Sequence, residues 1–159
     1  MSKASGESVT VERASTEEDI TRINEFFNSK AIKQELHRFT YRATLDRAFN
    51  RKDRRLFYVE DDGVLVGALM VWCESRVLDD EEAQIRLIAV SPDSRDRGIA
   101  AALCRRAEGF ATEQNQDRIS ADVARDSPAV DFWTSIGYEI EYEWETDGGR
   151  EMYRMIKPL

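Results

Sequence analysis

The sequence predicts an α/β (α+β) fold of three layers. A mixed central sheet of about seven strands carries flanking helices, in the order β-α-α-β-β-β-α-β-α-β-β. Three observations lead there. A chain of 159 residues with 42% hydrophobic residues can bury one sizeable core but not two. Apolar patterns of period two alternate along it with patterns of period 3.6. No repeat, low-complexity tract or linker interrupts them, so residues 1–159 are expected to form one domain with residues 1–7 as a disordered tail.

The elements follow in order. Residues 9–14 alternate and read as a first strand. Ser15 or Thr16 caps a helix whose first turn holds Glu17, Glu18 and Asp19, acids that suit the positive end of the helix dipole. Ile20, Ile23, Phe26 and Phe27 form its apolar stripe. A second helix is expected over residues 33–51, burying Ile32, Leu36, Phe39, Ala43 and Phe49 and showing arginines to solvent. Residues 56–59 form a strand, Asp61-Asp62-Gly63 a tight turn, and residues 64–73 the returning strand. A polar loop over 78–83 leads into a strand over 84–90. A helix over 98–114, a strand over 118–124 and a short helix over 128–136 follow, the last ended by Gly137. Strands near 138–145 and 150–157 close the chain around Asp147-Gly148-Gly149.

Composition removes several function classes. No run of about 18 apolar residues exists, so no membrane-spanning helix is expected. The first residues lack the apolar segment of a secretory signal. Cys73 and Cys104 are too few for a disulfide framework or a four-cysteine metal site; no metal is expected, and a cytoplasmic location is. The net charge of −8 disfavours nucleic acid as a partner, because phosphate contacts dominate that affinity. Charge is nonetheless uneven. Residues 30–59 carry nine Lys/Arg against three Asp/Glu, 60–85 one against eight, and 86–106 five against two.

The last of these segments contains Val90-Ser91-Pro92-Asp93-Ser94-Arg95-Asp96-Arg97-Gly98-Ile99-Ala100. A strand ends, a polar loop follows, and a helix begins on small residues. Backbone N–H groups at a helix start lack partners and, with the dipole, make an anion site. Gly98 and Ala100 leave the backbone open to a phosphate, and Arg95 and Arg97 add charge. Spacing alone leaves two readings open: a phosphate-binding loop, or a structural turn whose arginines are solvated.

The stretch resembles the signature V-x-P-x-x-R/Q-x-x-G-x-G/A of the GNAT superfamily of N-acetyltransferases, with Val90, Pro92, Arg95, Gly98 and Ala100 in register. Residues 126–138 resemble that family's second block, N-x-x-A-x-x-F-Y-x-x-x-G-F, through Ala129, Phe132 and Gly137. Residues 57–67, with Gly67, resemble its second hairpin, and residues 153–159 its closing strand.

The resemblance implies an acetyl-CoA-dependent N-acetyltransferase. It places the pyrophosphate on the backbone of Arg95, Asp96, Arg97, Gly98, Ile99 and Ala100. The pantetheine arm falls along Ile88, Ala89 and Val90, with a backbone N–H near Val90 polarising the thioester. Asp126 and Trp133 complete the cofactor set. Transfer is direct to a primary amine of a small molecule or protein. Partners are then acetyl-CoA and the amine acceptor, with a homodimer as one oligomeric option.

Two positions depart from the pattern. Asp126 stands for Asn, and Trp133 for the Tyr that protonates the departing thiolate; an indole N–H donates a hydrogen bond but no proton. Trp133 then either steadies the thiolate, covers the pantetheine or packs as a core aromatic. Tyr138 or Tyr142 is left as a candidate acid. Gln84 occupies a position where some relatives carry Glu and cannot act as a base. Glu81 and Glu82 are read as solvated loop acids or as bases acting through water. Asp122, set among apolar residues of a strand, either holds the amine or makes a structural hydrogen bond. His37 is read as a surface residue. Two rival functions remain: a non-catalytic acyl-CoA-binding module, and an RNA-directed transferase using the basic second helix.

Overall fold

A computed structural model describes residues 9–73 and 78–159; the expected tail at residues 1–7 lies outside the described residues. Seven strands form one sheet: β1 (Glu12–Arg13), β2 (Arg54–Asp61), β3 (Val64–Cys73), β4 (Glu82–Val90), β5 (Arg118–Ala124), β6 (Glu139–Glu145) and β7 (Glu151–Pro158). Their order is β1-β2-β3-β4-β5-β7-β6. Only β4 and β5 run parallel; the other neighbours are antiparallel. The helices are α1 (Glu17–Phe27), α2 (Lys30–Leu36), α3 (Arg42–Asn50), α4 (Ile99–Glu113) and α5 (Ala129–Ser135).

The strand period of two sorts the core into two layers. Leu56, Tyr58, Ala68, Met70, Leu87 and Ala89 pack with Ile20, Ile23, Phe27, Ile32, Leu45 and Ala48 of α1–α3. On the other face, Phe57, Val59, Leu69, Val71, Ile119 and Met155 pack with Leu103, Ala107 and Phe110 of α4. Gly67 lets α4 approach: a Cβ there would lie 2.8 Å from Ile99 Cγ2. Asp62 and Gly63 both take positive φ (52° and 77°), as a tight hairpin turn requires. No described helix is long and apolar enough to cross a membrane.

Thr16 is the cap of α1. Its hydroxyl accepts from Asp19 N–H at 3.1 Å, while the Asp19 carboxylate accepts from the N–H groups of Ser15 and Thr16 at 2.8 and 3.1 Å.

Three sequence expectations are corrected. The helix expected over 33–51 is two helices, which adds an α to the predicted order. His37 ends α2 in a left-handed conformation (φ 56°). The connector is then held from α1: the Thr40 carbonyl accepts from Asn24 Nδ2 (3.0 Å) and Asn28 Nδ2 (2.8 Å), and Thr40 N–H donates to Asn28 Oδ1 at 2.8 Å. Phe39 is 51% exposed as a result, and Leu45 and Ala48 take the buried positions expected of Ala43 and Phe49. The first strand shrinks to Glu12–Arg13. Finally, β4 begins at Glu82, inside the expected loop, because Ala83 pairs with Cys73 and Glu82 with Arg118.

Candidate active site

The site starts where the parallel pair comes apart. β4 and β5 are paired from Glu82–Arg118 to Ile85–Ala121. Beyond that point β4 continues to Val90 against β3, and β5 continues to Ala124 against β7. The gap opens a cavity of about 440 Å³, lined by β4 from Gln84 to Ile88, by β5 from Ala121 to Ala124, and by Trp133 of α5. Glu35, Leu36 and Arg38 of the α2 end and Trp144, Thr146, Arg150 and Met152 of the last hairpin form its walls. A bulge bends β4 here: Met70 faces Leu87 and Val71 faces Ile85, so Arg86 is the extra residue.

At the end of β4, Pro92–Ser94 makes a single 3₁₀ turn and the chain enters α4. Asp96 (φ 63°) and Gly98 (φ 77°) are both left-handed. The first α4 bond runs from Ala102 N–H to the Gly98 carbonyl at 3.0 Å. The N–H groups of Ile99, Ala100 and Ala101 therefore have no helical carbonyl to meet. A Cβ on Gly98 would touch nothing within 4 Å, so the loop presents open backbone there. The arginines are already engaged: Arg95 pairs with Glu35 and donates to the Val90 carbonyl at 3.3 Å, and Arg97 pairs with Asp61 at 3.1 Å. The backbone is thus the unengaged donor set of this loop, which suits an anion.

The floor of the cavity is an ionic network on the sheet face that α1–α3 leave uncovered. Glu82, read from sequence as a solvated loop acid or a base acting through water, is fully buried. It accepts from Ser120 Oγ at 2.7 Å, Arg154 Nη1 at 3.2 Å and Arg118 Nε at 3.4 Å. Those partners are what permit a carboxylate inside a strand. Asp122 accepts from Arg154 Nε at 2.5 Å, Trp144 Nε1 at 3.3 Å and Gln84 Nε2 at 3.3 Å. Burial works against the charge of Arg154, but its hydrogen bond to Asp122 and the charge of Asp122 outweigh that and raise its pKa. Burial lowers the pKa of Arg86; the Asp122 charge opposes this, and Arg38 and Arg154 add to the lowering.

The structure brings together Ile88, Trp133 and Asp122 at the cavity. Trp133 is 4% exposed and lies edge-on to Tyr138, ring centroids 4.8 Å apart. Tyr138 is not placed there as an acid. It is fully buried, donates to Glu108 Oε2 at 2.9 Å, and burial followed by the nearby Cys104 and Glu108 pushes its pKa upward. Asp126 is exposed and outside the lining; the neighbouring Ser127 lines the cavity and its hydroxyl accepts from Ala129 N–H at 3.1 Å. His37 is exposed, as expected of a surface histidine.

Arg86, Ser120 and Arg154 were not among the sequence candidates. The signal for each was a polar residue inside an apolar strand pattern, the signal that did single out Asp122.

A model of the acetyltransferase (GNAT) family matches residues 18–138. Solved structures agree in fold across nearly the whole chain. Ard1 from Thermoplasma volcanium is 23% identical with a TM-score of 0.74, covering 94% of this chain and 97% of that one. The GNAT domain of S. lividans PAT is 19% identical with a TM-score of 0.77, covering 98% and 93%. An aminoglycoside 6'-N-acetyltransferase complexed with coenzyme A is 12% identical with a TM-score of 0.76, covering 94% and 96%. With the family model spanning the parted strands, the loop and α4, this chain belongs to the GNAT family and is an acetyltransferase.

Proposed function

We propose that the protein moves an acetyl group from acetyl-CoA directly to a primary amine of a small molecule or protein. The observation that carries this is the parting of β4 and β5 beyond Ile85 and Ala121, beside a loop whose free donors are backbone N–H groups.

The residues fit the donor substrate. Arg95 to Ala100 offer the left-handed turn and helix start that suit a pyrophosphate. The β4 edge from Ile88 through Ala89 to Val90, no longer paired with β5, suits an extended amide-bearing arm. Acetyl-CoA supplies the activated acetyl group; the chain supplies position and charge.

Trp133 lines the cavity and can donate a hydrogen bond toward a leaving sulfur without giving a proton. Asp122 faces the cavity and orients the amine, its carboxylate fixed in place by three close donors. Glu82, deeper, holds Arg154 and so positions Asp122. The amine enters as the free base or loses its proton to water. This assigns most of the rate to proximity and orientation.

The experiment is release of CoA thiol from acetyl-CoA across pooled primary amines. Time-dependent release that needs both enzyme and amine supports the reading. Tight acetyl-CoA binding with no release from any amine overturns it.

A further inference from the structure

We propose that the acceptor amine carries a carboxylate of its own, and that Arg86 is the residue that reads it. The inference rests on the transferase reading above and names its substrate class.

Arg86 occupies the bulge of β4, so its side chain is aimed apart from the regular alternation, and it lines the cavity. Its guanidinium lies over the Trp72 ring, 4.5 Å from the centroid, and donates to Gln84 Oε1. Among the described residues it has no carboxylate partner, and neither have Arg38 and Arg150, which also line the cavity. The lining carboxylates are already taken: Glu35 pairs with Arg95, and Asp122 with Arg154. The cavity therefore holds a surplus of guanidinium charge.

A partly buried guanidinium with no carboxylate in contact is unfavourable, and burial depresses the pKa of Arg86 although the Asp122 charge, one amide away, opposes it. The fork of donors on such a group matches a planar carboxylate, which it can bind through two hydrogen bonds.

Geometry sets how far the carboxylate lies from the amine. The Gln84 side-chain amide stands between the two charged groups. Its Oε1 accepts from Arg86 and its Nε2 donates to Asp122 Oδ2 at 3.3 Å. Cation and anion are thus separated by the width of one amide. A small molecule whose amine and carboxylate are a few bonds apart spans them, the amine toward Asp122 and the carboxylate on Arg86. A plain alkylamine leaves Arg86 unmatched.

The test compares matched acceptors, 3-aminopropanoate and 4-aminobutanoate against their primary amides, at saturating acetyl-CoA. Binding of the same compounds to the CoA-loaded protein is measured by calorimetry. Wild type should prefer the acids by tenfold or more in kcat/KM and bind them more tightly. Arg86→Met and Arg86→Gln should lose that preference through KM, bringing the acid-to-amide ratio of kcat/KM close to one, with CoA binding unchanged. Equal use of acids and amides by wild type, with thiol release intact, overturns this inference and leaves the transferase reading standing. A preference that survives in a folded Arg86→Gln variant overturns it too. If no primary amine of any kind releases thiol, the transferase reading fails and takes this inference with it.

Discussion

Two stretches of one sheet face differ in composition and in cover. Under α1–α3 the face is built from Leu56, Tyr58, Ala68, Met70, Leu87 and Ala89, and it is closed. Across β4, β5 and β7 the same face carries Glu82, Gln84, Ser120, Asp122 and Arg154, and there it opens into the cavity. The first stretch is held by burial of apolar area, which is tolerant of direction. The second is held by charges that share partners across strands, because each is costly alone. A cavity opens where the helices end and the network keeps polar groups fixed at the edge of the core.

Removing the hub of the network should have the largest effect on stability. Arg154→Met removes the ion-pair partner of Asp122 and leaves the buried Glu82 with Arg118 as its one cation. We expect a loss of about 3–5 kcal/mol, read as a fall in melting temperature on the order of 10 °C. Adding Glu82→Gln and Asp122→Asn, which removes both carboxylate charges, should recover much of it. No recovery would show that Arg154 acts through packing and that the two stretches are alike.

Gly98→Glu addresses the donor side. The new carboxylate would sit at the proposed pyrophosphate site, and like charges placed together cost several kcal/mol. CoA affinity should fall by a hundredfold or more. A Cβ at Gly98 meets nothing, so only the strain of its positive φ, about 1–2 kcal/mol, falls on the fold. Unchanged affinity would mark the loop as purely structural.

Trp133→Phe should be milder. It removes an indole N–H, a hydrogen bond worth about 0.5–1.5 kcal/mol, so turnover should drop by roughly tenfold or less. A thousandfold loss with CoA affinity intact would give Trp133 a larger role than this account allows.

The smallest effect lies in the apolar stretch, at the cap of α1. Burial pushes the Asp19 carboxyl up, but the bonds from Ser15, Thr16 and Tyr58 outweigh it and hold its pKa below the usual value. A depressed pKa means stability that is present above the unfolded value, near 3.9, and lost as pH falls through the folded one. Asp19→Asn should therefore cost about 1 kcal/mol at neutral pH, with the gap to wild type closing below about pH 4. Thermal unfolding across pH reads this directly, and a gap independent of pH would contradict it.

The same contrast explains what the sequence made legible. The proposed donor loop is one continuous segment, Val90 to Ala100, whose turn and helix start are written in adjacent residues. β3, β5 and α4 were also plain, because each has a strong local pattern. The break at His37 was not, since it depends on Asn24 and Asn28 reaching across from α1. Nor was the buried state of Glu82, whose partners Ser120, Arg118 and Arg154 come from other strands. The ionic floor is made of pairings between elements, and a local pattern does not carry them.

The most direct test of the central claim is the melting temperature of the protein titrated with acetyl-CoA. A ligand that binds only the folded state at a hundred times its Kd stabilises by about 2.7 kcal/mol. For a domain of this size that is a rise of roughly 5–10 °C. The account predicts such a rise, abolished by Gly98→Glu and retained by Arg86→Gln. No rise at saturating acetyl-CoA would contradict it.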